Sequence, residues 1–118
     1  MSEAEIVKLG GLLGLARKAG RIIMGADNVV DFIQRGKSCY VLLTSNASPR
    51  TRKRISDICA EYGRECTESQ MQMRELSHYI GAAGDTSAVA VTDTNFIEAI
   101  KKLIGNNTEI EKLRDTEV

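Results

Sequence analysis

The feature that most constrains this chain is the apolar run YVLLT over residues 40–44, which lies shortly before a helix-start signal. A continuous apolar run of this length, bounded by turn residues, is typical of a strand buried on both faces of a sheet. Ser48 can cap a following helix, and Pro49 suits the first helical position. We therefore expect a buried strand that leads into a helix.

Strand and helix patterns alternate along the rest of the chain. Apolar spacing and stop signals predict five helices, which end near or at Gly20, Gly36, Gly63, Gly81 and Gly105. The second to fifth of these helices are expected to start at Asp27, Ser48, Ser69 and Asn95. Strands are expected at residues 21–24, 40–44, 65–67 and 87–92.

This alternation predicts an α/β fold, a three-layer α/β/α sandwich with a small four-stranded mixed sheet. Helical crossovers favour mostly parallel neighbours with right-handed connections, although short edge strands are free to run antiparallel. At 118 residues we expect one domain over residues 1–105, followed by a polar C-terminal tail over 106–118.

Three glycines fall inside the first predicted helix, at Gly10, Gly11 and Gly14. Each costs a helix interior about 1 kcal/mol relative to alanine. Two explanations stay open: the helix backbone packs closely against a neighbour, or the helix is broken there.

The composition also excludes several classes of protein. No segment reaches the roughly 18 apolar residues of a membrane span, and the acidic start is wrong for a signal peptide. We therefore expect a cytoplasmic protein with no membrane partner. The three cysteines lack a CxxC pair and are best explained as small core residues, so no metal or cofactor is expected. A non-catalytic protein is favoured over a small enzyme that uses His78 or a cysteine.

A net charge of zero hides an uneven distribution, because residues 1–59 carry ten basic and five acidic side chains. Local potential, rather than net charge, governs anionic partners. The basic side chains form three groups: Arg17, Lys18 and Arg21; Arg35 and Lys37; and Arg50, Arg52, Lys53 and Arg54. The first two groups lie at element junctions, which suit phosphates. The third is equally well explained as a solvated helix face.

Five motifs follow one another in a characteristic order: Gly25 before a capped helix, IQRGK (33–37), YVLLTSNASP (40–49), RELSHYIG (74–81) and SAVAV (87–91). This set resembles the kink-turn-binding ribosomal-protein family of the archaeal ribosomal proteins L-seven-Ae and L-thirty-e. LLGLARKAGR (12–21) is most similar to its small bacterial branch. The resemblance covers roughly residues 6–104. It implies an α/β/α sandwich that binds structured, kinked RNA without catalysis, in association with the ribosome or another RNA.

The resemblance also implies two RNA-binding elements: the N-terminus of the second helix, which enters the kinked groove, and a loop that covers an extruded base. The matching helix positions are Gly25, Ala26, Asp27, Asn28, Asp31 and Arg35, with Lys37 just beyond. The covering loop corresponds to Gln72, Met73, Arg74, Glu75 and Leu76. Phosphate contacts are expected from Arg17, Lys18, Arg21, Arg35 and Lys37, which we expect to converge on the tip of the second helix.

The second helix departs from the family pattern Gly-x-Asn-Glu-x-x-Lys at three positions. Asp27 replaces the Asn, Asn28 replaces the Glu and Asp31 replaces the Lys. An anion in place of a phosphate-facing cation opposes binding. An alternative therefore stays open: a protein–protein interaction module on the same fold, with lost or altered RNA specificity.

Overall fold

The computed structural model describes residues 1–116, and the side chains of residues 1–105. Within that range, helices and strands alternate after the first helix. The elements are α1 (Glu3–Lys18), β1 (Ile22–Met24), α2 (Ala26–Gln34), β2 (Tyr40–Leu43), α3 (Pro49–Tyr62), β3 (Glu65–Glu68), α4 (Met73–Ile80), β4 (Ala88–Val91) and α5 (Thr94–Thr116).

The four strands form one mixed sheet in the order β1-β4-β2-β3. Among the described strands, only β2 and β3 pair in parallel, whereas β4 is antiparallel to both β1 and β2. The expectation of mostly parallel neighbours is therefore wrong. After α4 the connection over residues 81–87 turns back beside the helix, where the Thr86 N–H donates to the Ser77 hydroxyl at 2.8 Å. As a result, β4 enters between β1 and β2 in the reverse direction.

Alternate residues of the central strands face two separate helical layers, which confirms the three-layer sandwich. On one face, Tyr40, Leu42, Val89 and Val91 pack with the buried side chains of α1, α4 and α5. On the other, Val41, Leu43, Ala88 and Ala90 pack with those of α2 and α3. All four residues of β2 are buried, as predicted for a strand covered on both faces.

The glycines of α1 allow close packing, and the helix is unbroken across them. A Cβ atom built on Gly10 would lie 2.4 Å from the Tyr79 ring of α4, and one on Gly14 would lie 3.0 Å from the Tyr79 carbonyl oxygen. The first of the two open explanations is therefore the right one for these positions. Gly11 faces open space instead.

Several predicted helix ends are confirmed. Ser48 caps α3 by accepting the Thr51 N–H, and Pro49 is its first residue. The stops of α2, α3 and α4 each have a glycine with positive φ, at Gly36, Gly63 and Gly81.

Two of the predicted caps are wrong, because each residue lies away from its helix start. Asp27 lies inside the first turn of α2, since Gly25 is the N-cap, with φ of 93°. Ser69 instead donates to the Leu43 carbonyl and accepts the Met71 N–H, which holds the chain between β3 and α4. The helix α4 begins four residues later, with a capping box formed by Gln72 and Glu75.

The last helix differs from its predicted bounds at both ends. It begins at Thr94 rather than Asn95, because Asp93 accepts the N–H groups of Asn95 and Phe96. It also continues through Gly105 to Thr116, since one glycine costs a helix only about 1 kcal/mol. The polar tail was predicted for residues 106–118, whose side chains lie outside the described part of the structure. Among the described residues, no helix combines the length and apolar character that a bilayer span needs.

Candidate nucleic-acid interface

Three helices begin at the same end of the sheet. Since β1, β2 and β3 run in one direction, α2, α3 and α4 each start where the preceding strand finishes. The connections are short: residue 25, residues 44–48 and residues 69–72. We call this end, made of residues 25–28, 44–54 and 69–75, the tip surface. Helix N-termini present free N–H groups and a partial positive charge, so the tip surface favours anions.

Hydrogen bonds between neighbouring connections hold the tip surface together. Each bond joins a segment at a strand end to the next segment across the sheet. They run from Gly25 N to Ala88 O (2.9 Å), from Thr44 N to Ser87 O (2.9 Å), from Ser45 N to Met71 O (2.8 Å) and from Met73 N to the Asn46 Oδ1 (2.9 Å). The three helix starts therefore belong to one connected surface.

The α2 end of the tip surface is fixed by Asn28 and Asp27. The Asn28 side-chain amide donates to the Met24 carbonyl at 2.9 Å, which leaves its oxygen and its other amide hydrogen for a ligand. Asp27 is exposed and forms an ion pair with Arg54 of α3. This pair connects α2 to the basic first turns of α3.

The basic run of α3 lies on the tip surface, together with Arg74 of α4. Arg52 pairs with Glu68 at 2.6 Å, and Lys53 pairs with Asp57 at 2.9 Å. Arg50 and Arg74 are exposed and make no ion pair with any side chain that the structure describes. These two guanidinium groups are the cations of the tip surface that are available to a phosphate.

Sequence reasoning missed the place of the α3 run. Its position after Ser48 and Pro49 was predicted, but not that α3 starts at the same end of the sheet as α2. The signal was present, because consecutive parallel strands place the starts of their following helices at one edge.

Four of the five predicted phosphate contacts lie at the opposite end of the sheet, so the expected convergence on the tip of α2 is wrong. The Arg21 carbonyl accepts the Thr92 N–H, whereas Gly25 bonds Ala88 at the other end of β4, roughly 13 Å along the strand. Arg17 and Lys18 end α1 beside this point. Lys37 follows α2, and its carbonyl accepts a hydrogen bond from Arg64. Arg17 and Lys18 lie in the last turn of α1, where cations complement the helix dipole, and Arg21 forms an ion pair with Asp93 at 3.9 Å.

Arg35 is the C-cap of α2 and differs from the other four because it lines the same groove as Asn28. Both line a groove of about 320 Å³ between α2 and the edge strand β1. Asp31 lies between them and pairs with Arg35 at 3.0 Å. The predicted phosphate contact of Arg35 would therefore compete with an anion one helical turn away.

The predicted covering loop forms the start of α4. The Gln72 N–H donates to the Glu75 carboxylate at 3.1 Å, and Arg74 is exposed between them. Leu76 is only 3% exposed and packs in the core, so its prediction as a surface contact is wrong. A leucine at this helical spacing is explained by burial of the inner face of α4.

His78 and the possible metal ligands remain to be placed. His78 is exposed on α4, and its ring contacts Tyr79 edge to face. Within the described part of the chain, no three histidine, cysteine or acidic side chains are placed to hold a metal ion.

Fold and tip surface together define a small α/β/α domain with an anion-favouring end. The chain belongs to the ribosomal protein L7Ae/L30e/S12e/Gadd45 family, whose model matches residues 8–101. The family resemblance predicted from the ordered motifs is thereby confirmed.

Relatives and solved structures agree with this assignment. The RNA-binding protein YlxQ of Bacillus subtilis is 34% identical over 79% of this chain and 91% of its own length. The YlxQ of Enterococcus faecium is 29% identical over 88% of this chain and 98% of its own. A Bacillus halodurans C structure, described as a protein with unknown function, superposes with a TM-score of 0.75 at 30% identity, over 83% of this chain and 97% of that one. The Giardia lamblia 15.5kD RNA binding protein shares the fold, with a TM-score of 0.72 at 16% identity over 90% and 89%.

Proposed function

We propose that this protein binds structured, kinked RNA through its tip surface, without catalysis, as a cytoplasmic ribonucleoprotein component associated with the ribosome. The observation that carries the proposal is that three helix N-termini share one end of the sheet with Arg50 and Arg74, which have no ion-pair partner among the described side chains. Because two relatives are named RNA-binding proteins, RNA is the polyanion that we assign to this end.

The tip surface offers separate groups for the backbone and for the bases of an RNA. Arg50 and Arg74 would pair with phosphates, and the free N–H groups of the helix starts would add further donors. The first turn of α2, from Gly25 to Asn28, would enter the groove, with the Asn28 amide directed at a base edge. The start of α4, including Glu75, would cover an unstacked base.

The acidic substitutions in α2 are compatible with this proposal. Asp27 and Asp31 are both held in ion pairs with arginines, so neither presents an uncompensated negative charge to a phosphate. Those two anions motivated the protein–protein alternative, and their pairing weakens that motivation.

The proposal is tested with a kinked RNA that contains tandem sheared G·A pairs and a straight duplex of the same base composition. Removal of both free cations, in an Arg50→Ala, Arg74→Ala variant, should weaken binding of the kinked RNA roughly 10- to 100-fold, since two charge-assisted contacts are lost. The matched control is an Arg17→Ala, Lys37→Ala variant, which removes the same charge from the opposite end. It should change the affinity less than about threefold. Equal losses in both variants would overturn the assignment to the tip surface.

Preference for the kink is tested separately through Asn28. An Asn28→Ala variant should bind the straight duplex as the parent does, and lose the parent's preference for kinked RNA. If the parent chain itself shows no preference, the kink part of the proposal fails. If it retains no RNA at modest salt and co-purifies with a protein after nuclease treatment, the interaction-module alternative replaces it.

A further inference from the structure

The three cysteines, which sequence reasoning treated as core-filling residues, gather on one face of the sheet. Cys66 lies on the edge strand β3 opposite Val41, and Cys39 immediately precedes β2, two residues before Val41. Cys59 lies on α3, which packs over this face. All three are free thiols.

Two of these thiols line an open groove of about 430 Å³ between α3 and β3. Cys66 is half-buried there, whereas Cys59 lies behind it with 2% of its surface exposed. The groove also contains Arg52 and Arg64. A small solute in the groove therefore reaches the sulfur of Cys66 more easily than that of Cys59.

Cys59 and Cys66 line the same groove. Hydrogen bonding from the Cys59 thiol lowers the pKa of Cys66, although burial and the Glu68 carboxylate oppose it, and the same interaction and burial raise the pKa of Cys59. Glu68 is itself paired with Arg52 at 2.6 Å, which reduces its effect. Because the thiolate is the nucleophile, Cys66 is the more reactive member of the pair.

We propose that Cys59 and Cys66 form a redox-active dithiol, in which a peroxide oxidises Cys66 and Cys59 then closes a disulfide between α3 and β3. In the first step the Cys66 thiolate attacks an oxygen of hydrogen peroxide, which gives the sulfenic acid and hydroxide. In the second step the Cys59 sulfur attacks the sulfenic acid sulfur, a water molecule leaves with the Cys59 proton, and the S–S bond forms. Peroxide is reduced by two electrons, and the two thiols are oxidised by two.

Cys39 supplies an internal control, because it lines a different groove, beside Tyr40, Gly63 and Arg64. Burial raises the pKa of its thiol, and no hydrogen bond from another thiol lowers it. We therefore expect Cys39 to remain a thiol under conditions that oxidise the pair. The proposal does not depend on RNA binding.

The test treats the reduced full chain with hydrogen peroxide, then alkylates it in denaturant and counts the free thiols by mass. The thiol count should fall from three to one, with the intact mass lower by two hydrogen atoms. Peptide mapping should find Cys59 joined to Cys66. In a Cys39→Ser variant the count should fall from two to none.

A second variant separates the two steps. Without the resolving thiol, in a Cys59→Ala variant, Cys66 should accumulate as sulfenic acid that dimedone traps. If that variant loses its native circular dichroism, peptide mapping of the parent chain decides alone. The proposal is overturned if the parent keeps three thiols at peroxide doses that oxidise glutathione, or if the disulfide joins Cys39 or two chains.

Discussion

At the scale of single residues, Gly10 is the point where the α1 backbone meets the Tyr79 ring of α4. A methyl group at this position would lie 2.4 Å from a ring carbon, so the ring or the helix must move. We expect Gly10→Ala to reduce the free energy of unfolding by about 1–3 kcal/mol, the usual cost of overpacking. Urea denaturation of the two proteins measures this difference.

Gly11 provides the matched control, one residue along the same helix. A Cβ atom there meets nothing within 4 Å, and alanine is the better helix former. Gly11→Ala should therefore raise the free energy of unfolding by about 0.5–1 kcal/mol. A decrease in both variants would show that the helix, rather than the contact with Tyr79, responds to the substitution.

A second prediction at this scale concerns the Thr44 hydroxyl, which is fully buried and makes no hydrogen bond among the described residues. Since an unsatisfied buried hydroxyl is costly, Thr44→Val should raise the free energy of unfolding by about 1 kcal/mol. The contrasting variant is Thr67→Val, because the Thr67 oxygen accepts the Tyr40 hydroxyl at 2.6 Å. It should lower the free energy of unfolding, and thermal melts of both variants measure the two changes. Changes of the same sign in both variants would contradict the prediction.

At the scale of elements, the first turn of α1 should respond to acid. The Ser2 N–H donates to the Glu5 carboxylate, and this bond lowers the pKa of Glu5 below its ordinary 4.5. A lowered pKa in the folded state means that the carboxylate stabilises the helix above pH 4.5, and that this effect is lost as the pH falls through the folded value. NMR titration of Glu5 should give the lowered pKa. A Glu5→Gln variant should lose the acid-dependent loosening of residues 2–5; if it loosens as the parent does, another group is responsible.

The sequence predicted element types well, but local signals misplaced two of the caps. Ser48 with Pro49 was read correctly because the capping bond is made within four residues. Ser69 has the same chemistry, yet its hydroxyl bonds Leu43, 26 residues away, which no local pattern reveals. Leu76 was misassigned because it was taken over from the family's covering loop by its place in the sequence. That place does not determine whether the side chain lies on the buried or the exposed side of α4.

At the scale of the whole molecule, the layers were predicted correctly and the placement of the charged side chains was not. Which end of the sheet a cation occupies depends on the direction of its strand and on its place at a helix start or end. The run from Arg50 to Arg54 follows a strand and lies at a helix start, whereas Arg17 and Lys18 lie at a helix end. Grouping by sequence proximity could not separate these cases. The reversal of β4 follows from the return of residues 81–87 beside α4, which the pattern of apolar residues does not reveal.

The whole-molecule charge arrangement predicts a specific dependence of RNA affinity on salt. The logarithm of RNA affinity falls linearly with the logarithm of salt concentration, because binding releases counterions. Each phosphate contact makes this negative slope steeper by roughly 0.7–0.9. Arg74→Ala should therefore reduce the magnitude of the slope by about that amount, and Lys37→Ala should leave the slope unchanged. Titrations at four salt concentrations measure both slopes. A slope of smaller magnitude for Lys37→Ala would indicate that the RNA also contacts the end of the sheet opposite the tip surface.

The brevity of the links between strands and helices at the tip surface limits how far that surface can adapt. One residue separates β1 from α2, so the start of α2 cannot shift without disturbing β1, and hydrogen bonds tie the four- and five-residue links before α4 and α3 to each other. The tip surface is therefore preorganised before a ligand binds. The conformational cost of complex formation would then fall on the ligand, and a polymer that already bends easily at the right point would gain most from the encounter.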